Sequence, residues 1–238
     1  MTITGSATPR ARIHITRPQD WGAGCGTDYW ANWGDLTMGD TLASDLVANG
    51  WLTSGFSQLA GSLADLLTSA DAGTTGGLNL ATVSDYIISP FVFGDYAHGQ
   101  MAAGILGYTP TTLNMECYAR LAANADEEET GFGFLEAGVD ANALVKADLM
   151  AYVTSDGTNF SLESGAAAAA GSTDNTNPHL FKIELAAGAA IKWYIDGTLQ
   201  ANTLALQADL WPCAWGAGTK AATGTNDPVI SWTHIWYS

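Results

Sequence analysis

The chain has 238 residues, 8 Lys+Arg against 24 Asp+Glu, a formal net charge of −16, 47% hydrophobic residues, and 9 Trp, 8 Tyr and 7 Phe. That apolar and aromatic content excludes an acidic disordered chain, and the negative charge opposes a polyanionic partner, so no nucleic-acid partner is expected. At this length one core buries roughly 70–75% of the unfolded surface, and a single domain is expected.

The first twenty residues gather Arg10, Arg12 and Arg17, three of the eight basic residues, around an Ile13-His14-Ile15 alternation flanked by Pro9 and Pro18. Prolines and alternation predict an extended arm or edge strand over 1–20. Its residues Arg10, Arg12, Ile13, Ile15 and Arg17 either dock on a partner or neutralise the protein's own acidic surface. The segment lacks the apolar stretch of a secretion signal, and no run approaches the roughly 18–20 apolar residues of a membrane span, so neither export nor a membrane partner is expected. Residues 21–238 are expected to form one domain.

Gly22, Gly24, Gly26 and Gly34 lie among Trp21, Trp30 and Trp33, a mixture that predicts irregular loops under aromatic rings. From Phe56 to Ala70 the apolar residues recur at a helical period, with Ser62 and Asp65 at capping spacing and Gly73 beyond, which predicts the chain's one short helix, interrupted at Gly61.

The second half alternates with a period of two. Met115, Cys117, Ala119 and Leu121 oppose Glu116, Tyr118 and Arg120; Leu149, Ala151 and Val153 precede the turn Ser155-Asp156-Gly157. Phe181, Ile183 and Leu185 lead through a loop to Ile191, Trp193 and Ile195, which end at Asp196-Gly197, the dipeptide of a type I′ hairpin turn. Val229–Tyr237 carries bulk on both faces, Ile230, Trp232, His234 and Trp236 on one and Val229, Ser231, Thr233, Ile235 and Tyr237 on the other, which predicts a central strand covered on both sides. Ala166 to Ala170, between Gly165 and Gly171, is a hairpin tip or a helical turn, and propensity favours the helix. Many short strands with at most one short helix indicate a mainly β fold, an antiparallel two-sheet sandwich or jelly roll.

The segment HLFKIELAAGAAIKWYIDGTLQANT (179–203), the closing DPVISWTHIWYS and the middle MECYARL and GFGFLEAG resemble the strands of concanavalin A-like and laminin G-like sandwiches. The resemblance covers the last half of the chain and implies fold rather than activity, since such domains occur in lectins, glucanases, adhesion modules and bacteriophage structural proteins.

No catalytic constellation is visible. The Glu-x-Asp-x-x-Glu string of laminarinase-type glucanases is absent, Asp126 to Glu129 reads as a solvated loop, and His14, His98, His179 and His234 share no metal-ligand spacing. Cys25, Cys117 and Cys213 lie far apart, so reduced thiols are expected, with one pair left open. No cofactor is required. Calcium is the one ion with candidates, Asp156 with Asn159, Asp174 with Asn175 and Asn177, and Asn226 with Asp227, although Asp and Asn serve turns equally well. Trp21, Trp30, Trp33, Trp211 and Trp215 sit in Gly-rich contexts that either present rings to a glycan or pack at an interface.

These features together lead to the expectation of a non-enzymatic bacteriophage capsid decoration or head-associated protein. It is assembled in the host cytoplasm, resides in the virion, docks by its arm on the major capsid protein or another virion subunit, and forms a homo-oligomer. The alternative is a carbohydrate-binding module or host-glycan adhesin, and a glycoside hydrolase ranks third.

Overall fold

A computed structural model describes residues 14–15, 28–32, 52–54, 67–68, 77–79, 85–93, 111–121, 130–140, 143–175, 177–186, 188–207, 212–219 and 228–238. The strands are β1 (His14–Ile15), β2 (Asp28–Asn32), β3 (Leu52–Ser54), β4 (Leu67–Thr68), β5 (Gly77–Asn79), β6 (Asp85–Phe93), β7 (Thr112–Arg120), β8 (Gly131–Glu136), β9 (Leu149–Ser155), β10 (Asn159–Ser164), β11 (Ala167–Thr173), β12 (His179–Ala186), β13 (Ala190–Ile195), β14 (Thr198–Leu199), β15 (Leu204–Ala205), β16 (Cys213–Thr219) and β17 (Val229–Tyr237). They form two sheets. The first runs β1-β2-β17-β7-β12-β13-β14, with β5 on β17 and β15 on β13; the second runs β11-β10-β9-β8-β16-β6-β3. Among the described strands every pairing is antiparallel except β1 with β2. The protein is an antiparallel two-sheet sandwich of the jelly-roll kind.

Alternation builds the core from both sheets. In β7, β12 and β13 the inward Met115, Cys117, Phe181, Ile183, Ile191 and Trp193 are fully buried. Their register brings Ile183 opposite both Met115 and Trp193. Phe132, Phe160 and Trp215 rise from the second sheet to meet them. Edge-on ring pairs stitch the layers together: Phe181 stands 5.3 Å from Phe132 and 5.2 Å from Phe160, and Tyr29 stands 5.3 Å from Phe93. Such pairs add about 0.5–1.5 kcal/mol each beyond their buried area.

Two bulges rearrange the faces predicted from sequence. In β9, Phe134 pairs with Ala151 but Leu135 with Leu149, so Met150 is the extra residue. Leu149 therefore moves to the outer face, where it joins Tyr86, Ile88, Leu135, Tyr152, Ala214 and Leu144 in a second apolar cluster. In β17, Ile230 pairs with Ala119 and Trp232 with Tyr118, leaving Ser231 extra. Ile230 turns into the core beside Ile235, while Trp232, His234 and Trp236 stay outside.

Ala167 to Ala170 is strand, not helix. Gly165 turns the chain at φ +57° and β11 then pairs along β10, a tertiary override of helix propensity. Gln200 and Asn202 occupy the strand's free edge: Ser172 N donates to Gln200 Oε1 at 2.9 Å, and Asn202 Nδ2 donates to the Ala170 carbonyl at 2.7 Å. Leu67–Thr68, the end of the expected helix, is the strand β4 paired with β5. The rest of the 56–70 helix expectation lies outside the described residues. The Asp196-Gly197 turn has φ +50° and +77°, the type I′ geometry its sequence specifies.

Cys117 and Cys213 are free, buried thiols, and burial pushes both upward in pKa. Cys25 lies outside the described residues. Gly133 marks a close approach between strands: a Cβ there would stand 2.3 Å from the Ala151 carbonyl oxygen and 2.7 Å from Tyr152 Cα. Both are backbone atoms that cannot step aside cheaply. Gly133→Ala should lower unfolding free energy by about 1–3 kcal/mol or more, read as a shift in the urea midpoint. A midpoint unchanged from the parent would contradict this packing.

Candidate outer-face site

Two faces point away from the core. That of the second sheet is covered by its own chain, with Leu144 and half-buried Val139 lying on the cluster around Tyr152. The outward face of the first sheet carries polar side chains and large, half-buried rings.

The register sets them in rows. Trp30 lies opposite His234, His234 opposite Glu116, Glu116 opposite Lys182, and Lys182 opposite Tyr194. The adjacent row is Trp236, Asn114, Glu184 and Lys192, and on the other side Trp232 faces Tyr118. Alternation explains the choice, because each is the odd partner of an inward apolar residue.

The rings form one connected stack. Tyr118 and Trp232 stack at 6.4 Å, Trp232 and Trp30 at 4.9 Å with planes 14° apart, Trp30 and His234 at 4.7 Å, and His234 and Trp236 at 4.3 Å with planes 20° apart. Lys182 Nζ extends the stack, lying 5.9 Å from the Trp236 ring centre and 5.3 Å from that of Tyr194. These contacts fix the rotamers of long side chains that water would otherwise leave mobile.

Glu184 organises the polar half. It pairs with Lys182 at 2.7 Å and accepts a hydrogen bond from the Tyr194 hydroxyl at 3.1 Å. Burial works to raise its carboxyl, but the hydrogen bond and charge of Lys182, the Tyr194 hydroxyl and the charge of Lys192 outweigh it and hold the group below the ordinary glutamate value. The Tyr194 hydroxyl moves up, through burial and through its bond to the carboxylate. Beneath the rings Asn114 Nδ2 donates to Ser238 Oγ at 2.9 Å.

At the end of the sandwich lie the calcium candidates. Asp156 Oδ1 accepts from the amides of Thr158 and Asn159 at 2.8 and 2.6 Å, Asp174 accepts from the Ser155 hydroxyl, and Asn175 Oδ1 accepts from the Asn177 amide at 2.8 Å. His179 bridges two turns, Nδ1 meeting Asp196 Oδ2 at 2.6 Å and Nε2 meeting Asn175 Oδ1 at 3.0 Å. Asp156 Oδ1, Asp174 Oδ2 and Asn175 Oδ1 are thus engaged by donors of their own turns and of the strands beside them. Among the described residues no group of three or more His, Cys, Asp or Glu is placed to hold a metal. Asn226 and Asp227 lie outside them.

Of the aromatic candidates, Trp30 belongs to this face, in strand β2 rather than a loop. Trp215 does not: it is fully buried in β16, opposite Phe134. The glycines that made its segment resemble a loop are strand residues, where a Cβ on Gly216 would stand 2.4 Å from Leu135 Cδ1. Trp21, Trp33 and Trp211 lie outside the described residues, as do Arg10, Arg12, Ile13, Arg17 and Asp126 to Glu129. Ile15 is in β1, where its backbone pairs opposite Tyr29 in the same chain. The sequence set Tyr118 opposite the apolar face of β7, where it lies, but missed Trp232, His234 and Trp236 as surface rings; the signal was Trp-x-His-x-Trp out of phase with Thr-x-Ile-x-Tyr.

No family model and no curated protein sequence matches the chain. Solved structures do. A point-mutant form of the Emp46p carbohydrate recognition domain is 10% identical with a TM-score of 0.48, covering 86% of this chain and 94% of that one. The alginate lyase AlgAT5 from Polysaccharide Lyase family 7 is 17% identical with a TM-score of 0.33, covering 53% and 56%. A Trypanosoma rangeli sialidase is 11% identical with a TM-score of 0.43, covering 72% of this chain and 29% of that one. The chain thus spans about half the lyase and under a third of the sialidase.

The comparison corrects the expectation of a protein without catalysis. A lyase and sialidases stand among these neighbours, and a missing glucanase string excludes only that one mechanism. The virion role expected from the sequence finds no support among these neighbours.

A titration tests the polar half. A depressed folded pKa makes Glu184 stabilising at pH values above its unfolded value of about 4.3, and that contribution is lost as pH falls through the lower folded value. Lys182→Met should lower the melting temperature at pH 7 by the equivalent of about 0.2–1 kcal/mol. The gap from the parent should shrink between pH 4 and pH 2, and a gap that is constant with pH would contradict the pairing.

Proposed function

We propose that the protein binds carbohydrate on the outward face of its first sheet. One observation carries this reading: the stack Tyr118–Trp232–Trp30–His234–Trp236, half-buried and flanked by Glu116, Glu184, Lys182, Lys192 and Tyr194. Sugar rings present apolar C–H faces ringed by hydroxyls, and their recognition requires ordered aromatic surface beside charged or hydroxyl groups that both donate and accept hydrogen bonds. The first sheet supplies both at fixed spacing. Because the rings hold one another, little side-chain freedom is lost when a ligand settles on them. The names of the Emp46p domain, the lyase and the sialidase are all directed at glycans, and the reading rests on the stack itself rather than on those distant likenesses.

Screening the purified chain on a glycan panel, followed by calorimetry, tests it. At least one glycan should bind saturably, and Trp232→Ala with Trp236→Ala should weaken it tenfold or more, about 1.4 kcal/mol or above. The inward alternation of β17 stays intact in that variant, so its far-ultraviolet spectrum should match the parent's. Absence of binding to every glycan, or full affinity in the double variant, would defeat the proposal.

A further inference from the structure

Basic residues are scarce and unevenly placed. The sequence holds eight, Arg10, Arg12, Arg17, Arg120, Lys146, Lys182, Lys192 and Lys220. Three of the five beyond residue 20, Arg120, Lys182 and Lys192, stand on the outward positions of β7, β12 and β13. On these three strands Glu116 and Glu184 are the outward acids, so β7, β12 and β13 together carry 3 − 2 = +1 on that face. The remainder of the chain is then −16 − 1 = −17. Among the described residues, the acid that pairs opposite Lys192, Glu184, is already bonded to Lys182 and to the Tyr194 hydroxyl. Lys192 itself is exposed.

Distance decides which charge a ligand senses. At physiological salt the Debye length is about 8 Å, so the negative charge on other surfaces is screened and the charges of this face dominate contact. Register places the three cations along a diagonal. With about 3.3 Å per residue and 4.8 Å per strand, Lys192 and Lys182 are ~8 Å apart at the backbone, and Lys182 and Arg120 ~14 Å apart. A single sugar does not reach across that line, but a chain does, lying beside the rings of β17.

Resting on the carbohydrate reading above, we infer that the ligand is an anionic polysaccharide whose carboxylates or sulfates meet Lys192, Lys182 and Arg120 in turn. Lysine serves such a site as a compact point charge and arginine as a planar fork suited to oxyanions. Spreading the cations along the chain permits several weak contacts to act together.

The test uses matched polymers at 150 mM NaCl, roughly the ionic strength of that screening length: polygalacturonate and its fully methyl-esterified form, alginate and unsubstituted mannan, and a sulfated galactan with its desulfated counterpart. The expected result is at least tenfold tighter binding of one anionic polymer than of its neutral match. Lys192→Gln, at an exposed site, should cut that preference at least threefold while the melting temperature holds. Equal or better binding of the neutral members, or an unchanged preference in Lys192→Gln, overturns the charge inference and leaves the carbohydrate reading standing. Binding of no polymer overturns the charge inference, and the glycan panel then decides the carbohydrate reading by itself.

Discussion

Two-residue alternation in β7, β12 and β17 is the constraint on which everything else depends. Each strand sends one set of side chains between the sheets and the other set outward, so a single register decides both the core and the candidate site. Met115, Phe181 and Ile235 are fully buried by the same geometry that leaves Glu116, Lys182 and Trp236 half-exposed. The bulge at Ser231 preserves this division. Without its extra residue Ile230 would share the outward face with Trp232, and an apolar chain would interrupt the row of rings.

Much of this was legible in the residues. The hairpin of β12 and β13 follows from alternating Phe181, Ile183 and Leu185, then Ile191, Trp193 and Ile195, closed by Asp196-Gly197, whose positive φ values require that dipeptide chemistry. The facing of β7 follows from its sequence in the same way. Other features depended on partners distant in the chain. Four alanines favour helix locally and became strand because β10 offered a ladder and Gln200 and Asn202 capped its far side. Bulges at Met150 and Ser231 leave no mark in periodicity, yet each moves a large side chain from one face to the other.

The site was the least legible part, for a physical reason. Tryptophan is equally at home in a core and on a binding face, and flanking glycine does not distinguish the two. Trp215 sits among glycines and is buried because those glycines admit Leu135 and Tyr86 against the backbone. Trp232 and Trp236 sit among β-branched residues and face outward because Thr233 and Ile235 take the inward positions. Parity within the strand, more than neighbouring composition, separated the rings that face solvent from those that do not. Charge added a second distinction, since a chain so poor in lysine and arginine places three of them beside the outward rings.

The place where a glycan touches the protein is the most direct measure of the outward face as a binding surface. Indole N–H resonances in a two-dimensional NMR spectrum report each tryptophan separately, and Trp193 and Trp215 serve as buried internal references. On titration with a glycan that binds, the signals of Trp30, Trp232 and Trp236 should move together along one saturation curve while those of Trp193 and Trp215 stay fixed. Movement confined to signals other than those three, with the outward indoles unchanged at saturation, would contradict binding on that face.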